Sequence, residues 1–312
     1  MPQGALLFQP IGYPHETWTS HLRRLMPELE IRTEENPART DDIAYCIAWK
    51  PKPGSLAALK NLKVVFSMGA GVDGIVADPT YPKNLPLSRV VDHTLSQSMT
   101  EYVVLNVLYW HRRTNDLRAL QQMSKWRQFA IPRAPSVRVG IFGFGVLGQA
   151  AAQALKALNY QLLGWSATPK KFDGVTTFHG QAQRSEFLRQ SDILVCLLPL
   201  TPDTKGILNA QTFASLPRGA CVINCARGGH LVESDLIQAL DSEQLRGASL
   251  DVFQTEPLPE TSPLWQHPKI LISPHNAAMT DPGSFMEHVA ATIRRMDKGL
   301  PPENLVDFAR GY

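Results

Sequence analysis

The chain has 312 residues, of which 44% are hydrophobic and 19% charged, a composition typical of a globular protein with two domains. Its formal net charge of +3 is too small to indicate a nucleic-acid partner. The N-terminus lacks the pattern of a signal peptide, and no apolar run reaches the ~18–20 residues of a membrane span. The four cysteines form no C-x-x-C pair, so we expect buried, reduced thiols in a cytoplasmic protein without a bound metal.

Residues 1–95 alternate short apolar runs with helical or turn segments, which predicts a parallel, doubly wound sheet. The predicted strands are Ala5–Phe8, Ile43–Trp49 and Val64–Ser67, and the predicted helices are His15–Met26 and Ser55–Leu62. The third strand runs into a glycine-rich turn, Gly69–Asp73, whose backbone N–H groups can hold an anion. A plain loop is an equally good interpretation of this turn.

A long helix is predicted over Ser96–Arg113, with Ser96 or Ser98 as its N-cap. The segment that follows, residues 112–133, is polar and irregular and contains Trp126.

The central motif is G-x-G-x-x-G at Gly143, Gly145 and Gly148, between an apolar β-branched run and an alanine-rich helical stretch. This order is typical of a dinucleotide-binding unit. Its first glycine permits the tight turn, the second lets backbone approach a pyrophosphate, and the third allows close packing of helix on strand. The N-terminus of the new helix then faces the phosphates.

The next predicted strand, Gln161–Ser166, is not followed by the acid that commonly binds the ribose 2′-hydroxyl of NAD, since no acid occurs before Asp173. A 2′-phosphate would be tolerated, which favours NADP. Candidates to hold it are Ser166, Thr168, Lys170 and Lys171, although the two lysines can also be ordinary surface residues.

Further strands are predicted at Ile193–Leu198, Ala220–Asn224, Gly247–Val252 and Ile270–Ile272, with helices at Arg184–Arg189, Gln211–Ser215 and Glu233–Leu240. Three polar residues follow these strands, where a doubly wound sheet places its ligands. The Arg227 guanidinium can bind a carboxylate and polarise a carbonyl, His275 can donate a proton, and Glu256 can orient the imidazole. A residue of any one of these types is more often structural than catalytic, but the shared location of all three at strand ends favours a catalytic role.

The chain resembles the D-isomer-specific 2-hydroxyacid dehydrogenases along nearly its whole length. The family's motifs occur in order as Gly143–Gly148, Leu198–Gly206, Asn224–Gly228, Asp251–Pro257 and Pro274-His275. Within the family the chain is similar to the bacterial glyoxylate/hydroxypyruvate reductase A group, through Met68–Asp73, Ser262–Pro268 and the ending Ala309–Tyr312.

The resemblance implies two Rossmann-like α/β domains with a cleft between them, and a homodimer. Residues 1–95 plus 281–312 would form the substrate domain and 96–280 the dinucleotide-binding domain. It implies that Arg227, Glu256 and His275 are catalytic, and that the substrate contacts Trp49, Ala70, Gly71, Val72, Arg227 and His275. The implied cofactor contacts are Gly143, Gly145, Val146, Leu147, Gly148, Ser166, Thr168, Lys170, Leu198, Pro199, Thr204, Cys225, Ala226, Arg227, Asp251, His275 and Ala277.

The chain departs from its NADP-using relatives just after the predicted strand Gln161–Ser166. Those relatives place an arginine directly after the serine that matches Ser166, where this chain has Ala167, and a basic residue where it has Pro169. NADPH is still the preferred cofactor because no acid follows the strand, and the missing arginine makes NADH possible. Trp49 matches a substrate-lining residue and Trp126 a residue near the partner's cleft, but both can equally be core aromatics.

We therefore expect an NAD(P)H-dependent reductase of small 2-oxoacids, which converts glyoxylate to glycolate and hydroxypyruvate to D-glycerate. One alternative is a related dehydrogenase with another 2-oxoacid substrate. The other is a non-catalytic protein that senses NAD(H), since fold alone does not fix function.

Overall fold

The computed structural model describes residues 4–9, 13–33, 39–308 and 311. The chain forms two compact units, Met1–Leu95 with Thr280–Tyr312 and Ser96–Met279. Three residues of the C-terminal motif, Ala309, Arg310 and Tyr312, lie outside the described residues.

The elements of both units are named in chain order. The strands are β1 Ala5–Phe8, β2 Ile31–Thr33, β3 Ile43–Ala48, β4 Val64–Ser67, β5 Leu87–Arg89, β6 Arg138–Phe142, β7 Gln161–Ser166, β8 Val175–His179, β9 Ile193–Cys196, β10 Ala220–Asn224, β11 Leu245–Leu250 and β12 Ile270–Ile272. The helices are α1 His15–Leu25, α2 Asp73–Val76, α3 His93–His111, α4 Thr114–Gln122, α5 Val146–Ala157, α6 Gly180–Arg189, α7 Ala210–Ser215, α8 Glu233–Asp241 and α9 Pro282–Asp297. Short 3-10 turns occur at Ala134–Ser136, Gly228–His230 and Pro263–Gln266.

The first unit contains a five-stranded parallel sheet in the order β2-β1-β3-β4-β5. Every residue of its central strand β3 is buried, as expected for a parallel strand covered on both faces. Helices α1 and α9 pack together, with the rings of Trp18 and Phe285 edge to face at 6.0 Å. The chain order reverses between β1 and β3, so a ligand edge is expected at the ends of these strands.

The second unit contains a seven-stranded parallel sheet in the order β12-β11-β10-β9-β6-β7-β8. From β6 the chain runs outward through β7 and β8, then returns to β9 on the other side of β6. The switch point therefore lies between β6 and β9, where doubly wound sheets bind their ligands. The glycine turn directly follows β6.

The sheet of the second unit is buried on both faces. One face packs on α6, α7 and α8 through residues that include Phe187, Phe213 and Leu240. The other packs on α3 and α5 through residues that include Trp110 and Leu155. Apolar contact on both faces explains why these strands read as continuous hydrophobic runs. No helix among the described residues is long and apolar enough to cross a bilayer.

Two predicted helices differ from the structure. The helix predicted over Ser55–Leu62 is wrong, because this segment forms successive turns. Gly54, at φ 81°, donates its N–H to the Asp78 carboxylate, and this contact bends the chain where a short helix would have to nucleate. The long helix begins at His93, because Asp92 accepts the Leu95 N–H at 2.7 Å. The predicted serine cap was therefore wrong.

Several short elements are not predicted from the sequence. Strands β2 and β5 have three residues each, too few to show an alternation. Residues 112–133 were expected to be irregular, yet they include α4, whose residues are mostly polar and none of which is buried. The predicted ends of β9 and β11 each differ by two residues, because the backbone ladder ends where the turns begin.

Candidate active site

The glycine turn after β6 has the geometry of a phosphate-binding loop. Gly143 adopts φ 115° and lies so close to the backbone of Leu197 and Leu198 that a side chain would collide with it. Gly148 lies equally close to the Gly143 carbonyl, which brings α5 against β6. In contrast, a side-chain carbon at Gly145 would meet no atom within 4 Å. The turn is therefore tight on its protein side and open beside the start of α5, where Val146 and Leu147 follow.

The end of β7 carries no carboxylate in the structure. The Ser166 hydroxyl donates to the Thr168 carbonyl at 2.8 Å, and Lys170 is exposed. The next acid, Asp173, pairs with Lys156 at 2.6 Å, and this contact lowers the pKa of the Asp173 carboxyl. This edge of the sheet therefore offers hydroxyl and ammonium groups to a ligand.

Several predicted cofactor contacts lie in the loops after β9 and β10. Leu198, Cys225 and Ala226 are buried, and burial raises the pKa of the Cys225 thiol well above its usual value. The Thr204 hydroxyl donates to the Pro199 carbonyl at 2.7 Å. These side chains therefore shape the two loops.

The structure joins two of the three predicted catalytic side chains. His275 Nδ1 lies 2.9 Å from Glu256 Oε2, and both side chains are partly exposed, at 31% and 22%. Glu256 Oε1 accepts the Phe253 N–H at 3.2 Å, which fixes the carboxylate from its other side. A carboxylate at Nδ1 fixes the tautomer of the ring and leaves Nε2 as the atom that can exchange a proton with a ligand.

The loop that carries His275 folds around the carboxylate of Asp251, which is 1% exposed. This carboxylate accepts the Ser273 hydroxyl at 2.6 Å and the N–H groups of Asn276 and Ala277, each at 3.0 Å. His275 itself has φ 55°, and its N–H donates to the Asp251 carbonyl at 2.7 Å. Such a positive φ is unusual outside glycine, so the contacts to Asp251 hold the ring's backbone in place.

Arg227 lies in the loop that follows β10 and is partly exposed. Its guanidinium donates to the Ala226 carbonyl at 2.7 Å. The following residue, Gly228, packs so tightly on the Phe253 carbonyl that a side chain there would overlap it. Because Phe253 also binds Glu256, this close approach brings the segment of Arg227 beside the segment of the His275–Glu256 pair.

In the first unit, the predicted anion-binding turn follows β4. The Ser67 hydroxyl donates to the Gly69 carbonyl at 3.1 Å, and Val72 is buried. The Trp49 ring occupies the space that a side chain at Gly69 would need. Trp49 is half-buried and packs against Gly69 of this turn.

Comparison with known proteins identifies the family. The family model described as "D-isomer specific 2-hydroxyacid dehydrogenase, NAD binding domain" matches residues 104–277. The chain belongs to the D-isomer specific 2-hydroxyacid dehydrogenase family. It is 42% identical over 312 residues to glyoxylate/hydroxypyruvate reductase A of Serratia proteamaculans (strain 568), a match that covers 98% of this chain and 99% of the relative.

Solved structures of the family are similar over almost the whole chain. A D-isomer specific 2-hydroxyacid dehydrogenase from Xanthobacter autotrophicus Py2, in complex with NADPH and MES, gives a TM-score of 0.94 at 39% identity, covering 99% of this chain and 100% of that chain. An NADPH-dependent glyoxylate/hydroxypyruvate reductase from Sinorhizobium meliloti, in complex with NADP and sulfate, gives a TM-score of 0.92 at 40% identity. This match covers 99% of this chain and 100% of that chain. The predicted family, the α/β fold with two parallel sheets and the oxidoreductase class are confirmed.

Some features of the site were not found in the sequence. The contacts of the Asp251 carboxylate join residues that lie far apart in the chain. The buried ring of His230 contacts the Arg227 carbonyl but belongs to no motif. The alternative interpretation of Trp126 as a core aromatic is wrong, because this side chain is 95% exposed.

The contact between Gly228 and Phe253 yields a direct prediction. Gly228→Ala should destabilise the protein by about 1–3 kcal/mol, because the new methyl group overlaps the Phe253 carbonyl and forces the two segments apart. Denaturant unfolding measures this change. Gly145→Ala is the matched control, since its methyl group enters open space and should leave stability within about 0.5 kcal/mol. Equal stability of Gly228→Ala and the wild type would contradict the close packing of Gly228 on the Phe253 carbonyl.

Proposed function

We propose that the protein reduces small 2-oxoacids, glyoxylate to glycolate and hydroxypyruvate to D-glycerate, with NADPH as the preferred cofactor. The observation that carries this proposal is the His275–Glu256 pair at 2.9 Å, held beside the segment of Arg227 at the ligand edge of the sheet. Relatives of the same length that are named for this activity support the choice of substrates.

The residues of the second unit fit a dinucleotide. The open space at Gly145 leaves room for a pyrophosphate, and the first N–H groups of α5 would face its charge. Ser166, Thr168 and Lys170 are the proposed contacts of the 2′-phosphate, at a strand end that lacks a carboxylate. Structures of similar proteins with NADPH or NADP support NADPH, and NADH remains the second choice because Ala167 replaces an arginine. When bound, NADPH supplies the hydride that reduces the carbonyl carbon.

Arg227 is the proposed binding residue for the substrate. Its planar guanidinium can pair with the carboxylate of a 2-oxoacid and also donate to the keto oxygen. As negative charge develops on that oxygen, a donor already in place stabilises it without reorganisation. Within the first unit, the backbone amides of Ala70, Gly71 and Val72 are the proposed second contact of the carboxylate, with Trp49 beside them.

His275 is the proposed general acid. With Nδ1 held by Glu256, the proton on Nε2 passes to the keto oxygen as the carbonyl carbon is reduced. The Glu256 carboxylate accepts from Nδ1 and keeps the ring oriented during this transfer. The role of Glu256 is therefore to position His275.

We also infer that the protein forms a homodimer through the second unit. Four large apolar side chains of α3, α4 and the segment after them are exposed: Leu105, Leu117, Met123 and Trp126. Exposed apolar groups this close in the chain are typical of an interface. The four cysteines are buried thiols, which supports a reducing, cytoplasmic location.

Light scattering after size exclusion tests the dimer. The wild type should show twice the chain mass of 34.6 kDa, and Trp126→Ser should weaken the dimer at least tenfold, since an aromatic anchor at an interface often contributes about 2 kcal/mol or more. Trp265→Ser, at another exposed tryptophan, is the control and should stay dimeric. A wild-type monomer at micromolar concentration would contradict the inference.

The activity is tested by following NADPH and NADH oxidation with glyoxylate, hydroxypyruvate and pyruvate. We expect turnover of the first two acids with NADPH, and a loss of about 10²–10⁴-fold in kcat for His275→Gln with NADPH binding retained. His267→Gln is the matched control, because His267 also pairs with a carboxylate, Asp241 at 3.4 Å, away from the ligand edge. Tight NADPH binding without turnover of any of the three acids would instead indicate a cofactor sensor.

A further inference from the structure

His230 ends the 3-10 turn that follows Arg227, and its side chain is fully buried. Its Nδ1 lies 3.1 Å from the Arg227 carbonyl oxygen, and its Nε2 lies 3.2 Å from the Pro199 carbonyl oxygen. A single ring thus contacts the backbone of two loops, one after β9 and one after β10. Both loops belong to the ligand edge of the second unit.

The backbone of His230 is anchored independently of its ring. The Leu208 N–H donates to the His230 carbonyl at 2.8 Å, and the Gly206 N–H donates to the Gly229 carbonyl at 2.9 Å. These bonds fix the point from which the imidazole reaches toward Arg227. The ring is therefore a brace that reaches from a fixed backbone to these loops, and with its single N–H it donates to one of the two carbonyls at a time.

Both carbonyls also have other donors. The Arg227 carbonyl accepts from Asn224 Nδ2 at 3.1 Å and from the His230 N–H at 3.2 Å, and the Pro199 carbonyl accepts from the Thr204 hydroxyl at 2.7 Å. Removing the ring nitrogens therefore leaves no buried carbonyl without a donor, so folding should survive their loss. The placement of the loops would change instead.

We propose that His230 is a positioning residue, whose Nδ1–H donates to the Arg227 carbonyl and holds that backbone so that the guanidinium meets the substrate carboxylate. This inference rests on the proposed role of Arg227. His230 is buried beneath the loops and does not reach the reacting atoms. Small displacements of a binding group are costly, because a shift of about 1 Å can lower a rate about 10²-fold.

Three variants test the brace. His230→Phe keeps a planar ring and removes both nitrogens. His230→Asn retains a donor near the position of Nδ1, toward Arg227, and His230→Gln retains one near Nε2, toward Pro199. His111→Phe is the matched control, since His111 is also buried in this unit and contacts the Tyr160 hydroxyl at 2.6 Å and the Pro132 carbonyl at 2.8 Å.

Each variant is assayed for kcat and KM with glyoxylate, for oxalate binding to the NADPH-loaded protein by calorimetry, and for thermal stability. We expect His230→Phe to lower kcat/KM by about 10–100-fold and to weaken oxalate binding about tenfold or more. His230→Asn should recover most of both losses and His230→Gln little. His111→Phe should lower thermal stability as much as His230→Phe does, with both functional readouts unchanged.

The proposal is overturned if His230→Phe keeps kcat/KM and oxalate binding within about twofold of wild type, or if Gln restores them as well as Asn does. If His230→Phe fails to fold, the comparison of Asn with Gln decides alone. A wild type that binds oxalate but does not turn over glyoxylate overturns the proposed function, while oxalate binding still reports on His230. A wild type that does neither overturns both.

Discussion

The buried carboxylate of Asp251 is the contact on which the candidate site most depends. It lies at the end of β11, where it accepts hydrogen bonds from Ser273, Asn276 and Ala277. These residues surround His275 and hold its backbone at a positive φ that a loop would not otherwise favour. A buried carboxylate that lost these donors would be costly, so the loop and the charge stabilise each other. We conclude that the predicted cofactor residue Asp251 has a clear role as scaffold for His275.

The parallel sheet explains why residues from distant parts of the chain meet. Strands β9, β10, β11 and β12 are consecutive neighbours, so all of their carboxyl ends lie on one edge. Arg227 follows β10, Glu256 follows β11 and His275 follows β12, which makes their order in space the same as their order in the chain. Two close approaches set the distances between these segments, one of Gly228 on Phe253 and one of His275 on Glu256. The proposed chemistry follows from this arrangement.

Features set by local sequence were the ones that could be predicted. The glycine turn, the strands of the second unit except β8, and the location of Arg227, Glu256 and His275 at strand ends all follow from apolar runs punctuated by glycine, proline and polar residues. Segment Ser55–Leu62 was misread, because its turns depend on a contact of Gly54 with a carboxylate further along the chain. The contact of His230 with the Pro199 carbonyl could not be predicted for the same reason, and its contact with the nearby Arg227 carbonyl belongs to no motif.

The kcat of glyoxylate reduction by Glu256→Gln, compared with that of the wild type, tests the pairing of His275 with Glu256 most directly. The carboxylate keeps a proton on Nδ1 and leaves Nε2 as the atom that exchanges one, whereas an amide can donate to Nδ1 and hold the ring in the other tautomer. We expect kcat to fall about tenfold or more in Glu256→Gln, with NADPH binding and thermal stability little changed. A kcat within about twofold of the wild type would contradict the assignment of His275 as a general acid oriented by Glu256.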